Sequence, residues 1–129
     1  MPIVKIVILN WNGAEHLRRF LPSVVAAAPA GVGVVVADNG STDGSLAVLA
    51  EEFPTVAVVR LDRNYGFAGG YNRALAQVEA DYYLLLNSDI ETPEGWLAPI
   101  LDVLEREPDV AVVSPKLISW TDRTKFEYA

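Results

Sequence analysis

The ten residues Asp81-Tyr-Tyr-Leu-Leu-Leu-Asn-Ser-Asp-Ile90 decide how the rest of the chain is read. Tyr82 to Leu86 is an unbroken aromatic and aliphatic run that stops at Asn87, Ser88 and Asp89. A short apolar run bounded by polar residues fits a strand buried on both faces, as in a parallel sheet covered by helices. The polar trio then sits at the strand's carboxyl end. In open α/β sheets the loops diverge at that edge and leave a crevice for a ligand. Asn, Ser and Asp also make ordinary turns, so the trio gains weight only if other strands end the same way.

Three other runs do. Ile3 to Leu9 is rich in β-branched residues and predicts the first central strand, followed by Asn10, Trp11 and Asn12. Val32 to Ala37 predicts a second strand ending at Asp38 and Asn39, and Val56 to Leu61 a third ending near Arg63 and Asn64. Helical spacing lies between them. Leu17, Phe20, Leu21, Val24 and Val25 form one stripe, with Asn12 and Glu15 resembling a capping box at its start and Pro22 expected to kink it. Leu46, Leu49, Ala50 and Phe53 mark a second helix stopped by Pro54, and Tyr71, Leu75 and Val78 a third. Thr92-Pro93-Glu94 reads as the opening of a fourth helix carrying Leu97, Ile100, Leu101 and Leu104, which Pro99 would bend and Pro108 would end. Val110 to Val113 reads as a fifth strand. Strand alternating with helix predicts a single α/β domain over residues 1–129, with a mostly parallel sheet, right-handed crossovers and helices on both faces. The last stretch, Ser114 to Ala129, adds no closing helix, which suggests a fold truncated at its C-terminal side.

Composition narrows the chemistry. Half of the 129 residues are apolar, enough for one core, and there is no cysteine and a single histidine, His16. A metal site would therefore use oxygen ligands, which favours Mg²⁺, Mn²⁺ or Ca²⁺ over zinc. A formal charge of -7 with ten scattered Lys and Arg makes a poor grip for a nucleic-acid backbone. Phe20 to Ala37 is uncharged for eighteen residues, but Pro22, Pro29, Gly31 and Gly33 interrupt it, so no membrane span is expected. Without a basic, small-residue leader at Met1 to Asn10, the expected location is the cytoplasm, with peripheral membrane association possible for a longer protein.

The strand ends bring Asn10, Trp11, Asn12, Asp38, Asn39, Arg63, Asn64 and the Asn87–Asp89 trio to one rim. A planar aromatic, carboxylates and amides on one edge suit a ligand with a flat base, a ribose and a polar tail. Trp11 is either a stacking face for a base or simply a rim tryptophan. Asp38 either accepts from a base or ribose or caps the next helix. Gly66-Phe-Ala-Gly-Gly70 lets backbone approach a ligand and precedes a helix whose N–H groups favour anions. Its spacing matches neither the dinucleotide fingerprint nor a P-loop. Asn72, one turn further on, reaches the same rim or faces solvent.

Leu9-Asn-Trp-Asn-Gly13, Ala37-Asp-Asn-Gly-Ser-Thr-Asp-Gly-Ser45, Asn64-Tyr-Gly-Phe-Ala-Gly-Gly-Tyr-Asn72 and Leu84-Leu-Leu-Asn-Ser-Asp89 together resemble the successive motifs of family 2 glycosyltransferases, closest to the rhamnosyltransferase-like branch. The resemblance implies a Rossmann-like GT-A fold and hexose transfer, with inversion, from a nucleotide-diphosphate sugar to a hydroxyl of a glycan or lipid-linked acceptor in cell-surface polysaccharide synthesis. It implies Trp11 against the base, Asp38 on base or ribose, and Asn10, Asn12, Asn64, Gly69, Asn72, Asn87, Ser88 and Asp89 around the donor. Asp89 would be the carboxylate facing a divalent Mg²⁺ or Mn²⁺ ion. Asn87 stands where the family usually has a first carboxylate, and the family's catalytic base has no match in these residues. The expectation is therefore a donor-binding part that does not itself transfer sugar, with apolar surface at Leu117, Ile118 and Trp120 favouring self-association.

Two rivals fit less well. A signalling receiver domain would use Lys116 but needs an acidic pair where Asn10-Trp11-Asn12 stands. A sugar nucleotidyltransferase needs a basic glycine-rich loop after the first strand, where Asn12-Gly-Ala-Glu15 carries no cation.

Overall fold

The computed structural model describes residues 2–128. In chain order these form β1 (Val4–Asn10), α1 (Ala14–Ala27), β2 (Gly33–Asp38), α2 (Ser45–Glu52), β3 (Ala57–Arg60), α3 (Gly66–Leu75), β4 (Tyr82–Leu86), α4 (Ala98–Arg106) and a hairpin of β5 (Leu117–Ile118) and β6 (Phe126–Tyr128). The first four strands make one parallel sheet in the order β3-β2-β1-β4, and the hairpin is separate and antiparallel. In register, Asn10 is the partner of Asp38 and Asp38 of Arg60, so these polar residues share one carboxyl edge.

Side-chain alternation sorts the sheet into two faces. Ile6, Ile8, Val36 and Leu86 point to the face covered by Leu17, Leu21 and Val24 of α1, Val48 and Leu49 of α2, and Leu97 and Ile100 at α4. Val7, Val35 and Ala37 point to the other, where α3 lays down Tyr71 and Ala74. Each fully buried Val, Leu or Ile contributes about 1.5–3 kcal/mol, so the larger cluster dominates stability. Tyr71 ties the sheet across strands: its hydroxyl donates to the Leu86 carbonyl at 3.1 Å and approaches that of Val7 at 3.5 Å. Burial pushes its pKa up, keeping it a neutral donor.

Several expectations are corrected. β4 is an edge strand covered on one face only: α3 lies over β1 and β2, which leaves Tyr83 and Leu85 exposed at 41% and 52%. Val110 to Val113 is not a strand. It runs irregularly between Pro108 and Pro115, with Val112 largely exposed and Val113 packed against the larger core cluster without pairing to a strand. α4 begins at Ala98, not at Thr92-Pro93-Glu94, because Gly95 takes a left-handed φ of 78° that interrupts the first turn. Pro99 falls in the first turn, where its missing N–H costs nothing, and so does not bend the helix interior. Asn12 does not cap α1, and Gly66 to Gly70 lies inside α3, not before it. Among the described residues no helix is long and apolar enough to cross a membrane.

Candidate functional site

The rim is built by side chains that reach from one loop to the next. Asn12 adopts a left-handed φ of 49°, tolerated by Asn because its short amide can bond locally. Its Oδ1 accepts the backbone N–H of Thr42 at 2.7 Å and of Asp43 at 3.2 Å, and its own N–H donates to the Ser41 hydroxyl at 2.9 Å. Asp43 returns the connection. One of its oxygens accepts the Ala14 N–H at the start of α1, and the other accepts the N–H and hydroxyl of Ser45 at the start of α2. One carboxylate thus caps two helices, where the helix dipoles also favour negative charge. Burial acts to raise the Asp43 pKa, but these hydrogen bonds outweigh it and hold the carboxyl below its ordinary value.

Asp38 lies beneath this turn and is 1% exposed. Its oxygens accept from the Asn10 amide at 3.1 Å and from the Ser41 N–H at 3.0 Å. Asn10 is equally buried, and its Oδ1 has no hydrogen-bond partner among the described residues. A Cβ on Gly13 would stand 2.5 Å from that oxygen, so any larger residue there would displace the buried Asn10 amide. Trp11 follows on the surface, 53% exposed.

A second linkage runs from Asn39 to the turn before α3. Its amide donates to the Asn64 Oδ1 and the Gly66 carbonyl and accepts the Tyr65 N–H. Asn64 Oδ1 also accepts the Gly66 N–H at 2.7 Å, so this oxygen is committed to the turn. Gly69 packs against Tyr65, and Gly70 against Asn39 and Leu9, which makes Gly70 a helix–sheet packing glycine. Asn72 is exposed on α3 beside the buried Tyr71. Tyr65 itself stacks under the Arg73 guanidinium at 3.9 Å and near that of Arg63, and its hydroxyl donates to Asp62.

Asn87, Ser88 and Asp89 turn outward at the end of β4, with Asn87 and Asp89 exposed. Beyond them lies a cavity of about 500 Å³ lined by Asn87, Asp89, Glu91, Trp96, Trp120 and Arg123, among others. Its far wall is β5 with the residues just before and after it. Glu91 accepts from Arg123 at 2.7 Å and from the Trp120 indole at 3.1 Å, and the Trp120 ring meets Phe20 of α1 edge-on at 5.6 Å. Thr92 and Trp96, from the segment between β4 and α4, also line the cavity, and their Oγ1 and Nε1 are buried without partners among the described residues. No three His, Cys, Asp or Glu residues cluster as a ready-made cation site among the described residues. The oxygen donors at Asn87, Ser88 and Asp89 fit a hard cation that takes the rest of its shell from water and phosphate.

The sequence placed Asn10, Asp38 and the Asn87–Asp89 trio on this edge. It placed Asn39 there too, as the end of β2, but gave Ser41 and Asp43 no role. Their signal was the density of turn formers between β2 and α2, which reads as loop until the partner loops are known.

Residues 5–128 match the family model for glycosyl transferase family 2. The chain belongs to that family. Among curated relatives of this family 2 chain, it is 28% identical over 124 residues to an N-acetylglucosaminyl-diphospho-decaprenol L-rhamnosyltransferase of Mycobacterium tuberculosis, covering 88% of this chain and 40% of that protein. Among solved structures, residues 1–349 of Staphylococcus aureus TarS in complex with UDP-GlcNAc superpose with a TM-score of 0.70 at 20% identity, over 90% of this chain and 38% of that one. A mannosyltransferase from Pyrobaculum calidifontis, in complex with GDP-Man and Mn²⁺, gives 0.62 at 24% identity over 75% and 32%. These likenesses show the GT-A fold, and the family makes the chain a glycosyltransferase domain. It spans about 40% of the length of the rhamnosyltransferase it matches.

Proposed function

We propose that this chain is the donor-binding part of an inverting glycosyltransferase that takes a nucleotide-diphosphate sugar and passes the sugar to a hydroxyl of a glycan or lipid-linked acceptor in cell-surface polysaccharide synthesis. The observation that supports this most is the convergence of Asn10, Asp38 and the Asn87–Asp89 turn on one carboxyl edge of a parallel sheet. Trp11 offers its exposed face to the base. Asp38 offers the lone pairs not used by Asn10 and Ser41 to a base N–H; at 1% exposure, that contact requires the rim to shift slightly on binding. Asn12, Asn64, Gly69 and Asn72 border the same ligand.

Transfer leaves negative charge on the departing diphosphate, which an acidic domain stabilises only with a local cation or aimed N–H groups. Asp89, with Asn87 and Ser88, is the group that would hold a divalent Mg²⁺ or Mn²⁺ ion; when bound, such an ion neutralises developing phosphate charge. A mannosyltransferase of similar fold in complex with Mn²⁺ supports this. The cavity beside Asp89 gives the sugar a place between Trp96 and Trp120, whose rings suit the C–H face of a pyranose. We assign no general base within these residues, and we expect donor binding without acceptor-dependent transfer. The open edge at Tyr83 and Leu85, with Ile118 and Trp120 half-exposed, favours self-association.

A thermal-shift panel of nucleoside diphosphates, with and without Mn²⁺, tests the proposal. UDP, dTDP or GDP should raise the melting temperature, more so with metal. Equal indifference to every nucleotide would overturn it.

A further inference from the structure

We propose that Glu91 is a positioning residue for the donor sugar: its carboxylate fixes the Trp120 ring in the wall of the cavity beside Asp89, and so sets how well the pyranose, as distinct from the nucleotide, is held. This rests on the donor-binding reading above. Glu91 acts through Trp120.

The cavity itself points to a ligand that is apolar on one face and polar at its edge. Its volume of about 500 Å³ lies within the roughly 300–1,000 Å³ common for small-molecule sites. Trp96 and Trp120 both line it, and indole rings suit the C–H face of a sugar. Thr92 lines it too and is 5% exposed, with its hydroxyl unpartnered among the described residues, as is the Trp96 indole N–H. Buried polar atoms without partners carry a free-energy cost that a hydroxyl-bearing ligand relieves. Asp89 is on the same lining, so a sugar here adjoins the diphosphate.

The wall that carries Trp120 is not built into the main sheet. β5 and β6 have two and three residues, and among the described residues they pair with each other and with no strand of that sheet. Side chains therefore govern how the wall stands over the cavity. Glu91, two residues after Asp89, reaches across: its Oε2 accepts the Trp120 indole N–H at 3.1 Å and the Arg123 guanidinium at 2.7 Å. From α1, Phe20 meets the Trp120 ring edge-on at 5.6 Å, and the Arg19 guanidinium lies 5.8 Å from the ring centre. Ring contacts of this kind tolerate rotation, whereas a hydrogen bond to the one indole N–H fixes the orientation of the ring. Arg123 holds the carboxylate toward the wall through a charge-assisted bond. Both partners of that ion pair are exposed, so it adds little to folding stability, and its effect falls on the shape of the cavity.

Calorimetry in Mn²⁺ compares UDP, dTDP and GDP with their sugar nucleotides, across gluco, galacto, manno, N-acetylated and 6-deoxy hexoses. The readout is the ratio of sugar-nucleotide to diphosphate affinity. Glu91→Ala should lower affinity for the preferred sugar nucleotide about fivefold to tenfold while the matching diphosphate changes less than about twofold. Glu91→Gln, whose carbonyl still accepts from the indole, should recover part of the loss. Trp120→Phe keeps an aromatic ring but cannot donate, so adding Glu91→Ala in that background should cost nothing further. Melting temperatures close to wild type are expected for the Glu91 variants, since the position is exposed. Equal losses for sugar nucleotides and diphosphates, or full additivity in the double variant, would overturn the proposal. A wild type that binds no sugar nucleotide better than its diphosphate would overturn it as well, with donor binding intact. Failure of the wild-type protein to bind any nucleoside diphosphate would instead overturn the donor-binding reading.

Discussion

Replacing Gly40 by alanine should destabilise the protein by more than backbone strain alone. Gly40 has a φ of 75°, and left-handed backbone costs a residue with a Cβ about 1–2 kcal/mol. The new Cβ would also stand 2.5 Å from the Arg63 carbonyl carbon, 2.6 Å from its Cα and 2.8 Å from the Asn64 nitrogen. All three are backbone atoms, roughly 1 Å inside comfortable contact, so a whole turn must move and not a side-chain tip. Overpacking of that kind adds about 1–3 kcal/mol. The combined loss, about 2–5 kcal/mol, is a large share of the about 5–15 kcal/mol that holds a domain folded. For a chain of this size it should lower the melting temperature by roughly 10 °C or more. Gly31→Ala is the matched control, since Gly31 has a φ of 87° and a Cβ there would meet nothing within 4 Å. Thermal unfolding followed by circular dichroism on both variants separates strain from collision. If Gly40→Ala melts within a degree or two of Gly31→Ala, the loops after β2 and β3 are not in fixed contact and the rim described above is looser than its hydrogen bonds imply.

Asp38→Asn should cost about 1–3 kcal/mol, because its new NH₂ must face either the Asn10 amide or the Ser41 N–H; it should also erase any preference for UDP, dTDP or GDP over ADP in calorimetry. An unchanged preference would remove Asp38 from base recognition. Asp89→Ala should abolish the enhancement of UDP binding by Mn²⁺, and survival of that enhancement in a titration would assign the metal elsewhere. Asp43 has a pKa held below its reference of 3.8, so its stabilisation is complete above that value and is lost as pH falls through the lowered one. Melting temperatures measured between about pH 6 and pH 2 should therefore fall less steeply in acid for Asp43→Ala than for wild type, and parallel curves would show that Asp43 does not sense folding.

The four sheet strands were legible because each is an apolar run closed by polar residues, a local pattern that parallel pairing preserves. Their covering was not. Tyr82 to Leu86 has the composition of a strand buried on both faces, but burial depends on how far α3 reaches, and α3 stops over β1 and β2. Val110 to Val113 has the composition of a strand too, and pairing is a property of the neighbour as much as of the run. At the rim, Asn10, Asp38 and Asp89 could be found by their position after a strand. Asn12 looked like a cap for its own helix, and Asp43 had no reading of its own. The structure exchanges those roles, so that Asn12 serves the turn before α2 and Asp43 serves the start of α1. Exchange between loops about thirty residues apart leaves no trace in local spacing.

The reciprocal holding of the loops also bears on how such a domain can be rebuilt. A loop that contains its own bonds can be lengthened or replaced by itself. Here the turn before α3 is fastened by Asn39 from the β2 loop, and the β2 loop by Asn12 from the β1 loop. One inserted residue between Asp62 and Tyr65 would pull Tyr65 and Gly66 out of register with their holder while leaving every strand intact. Transplanting a single loop from a relative to change donor preference should therefore fail more often than moving two or three together. The practical unit of exchange on this edge is the set Asn10–Asn12, Asp38–Asp43 and Asn64–Gly66.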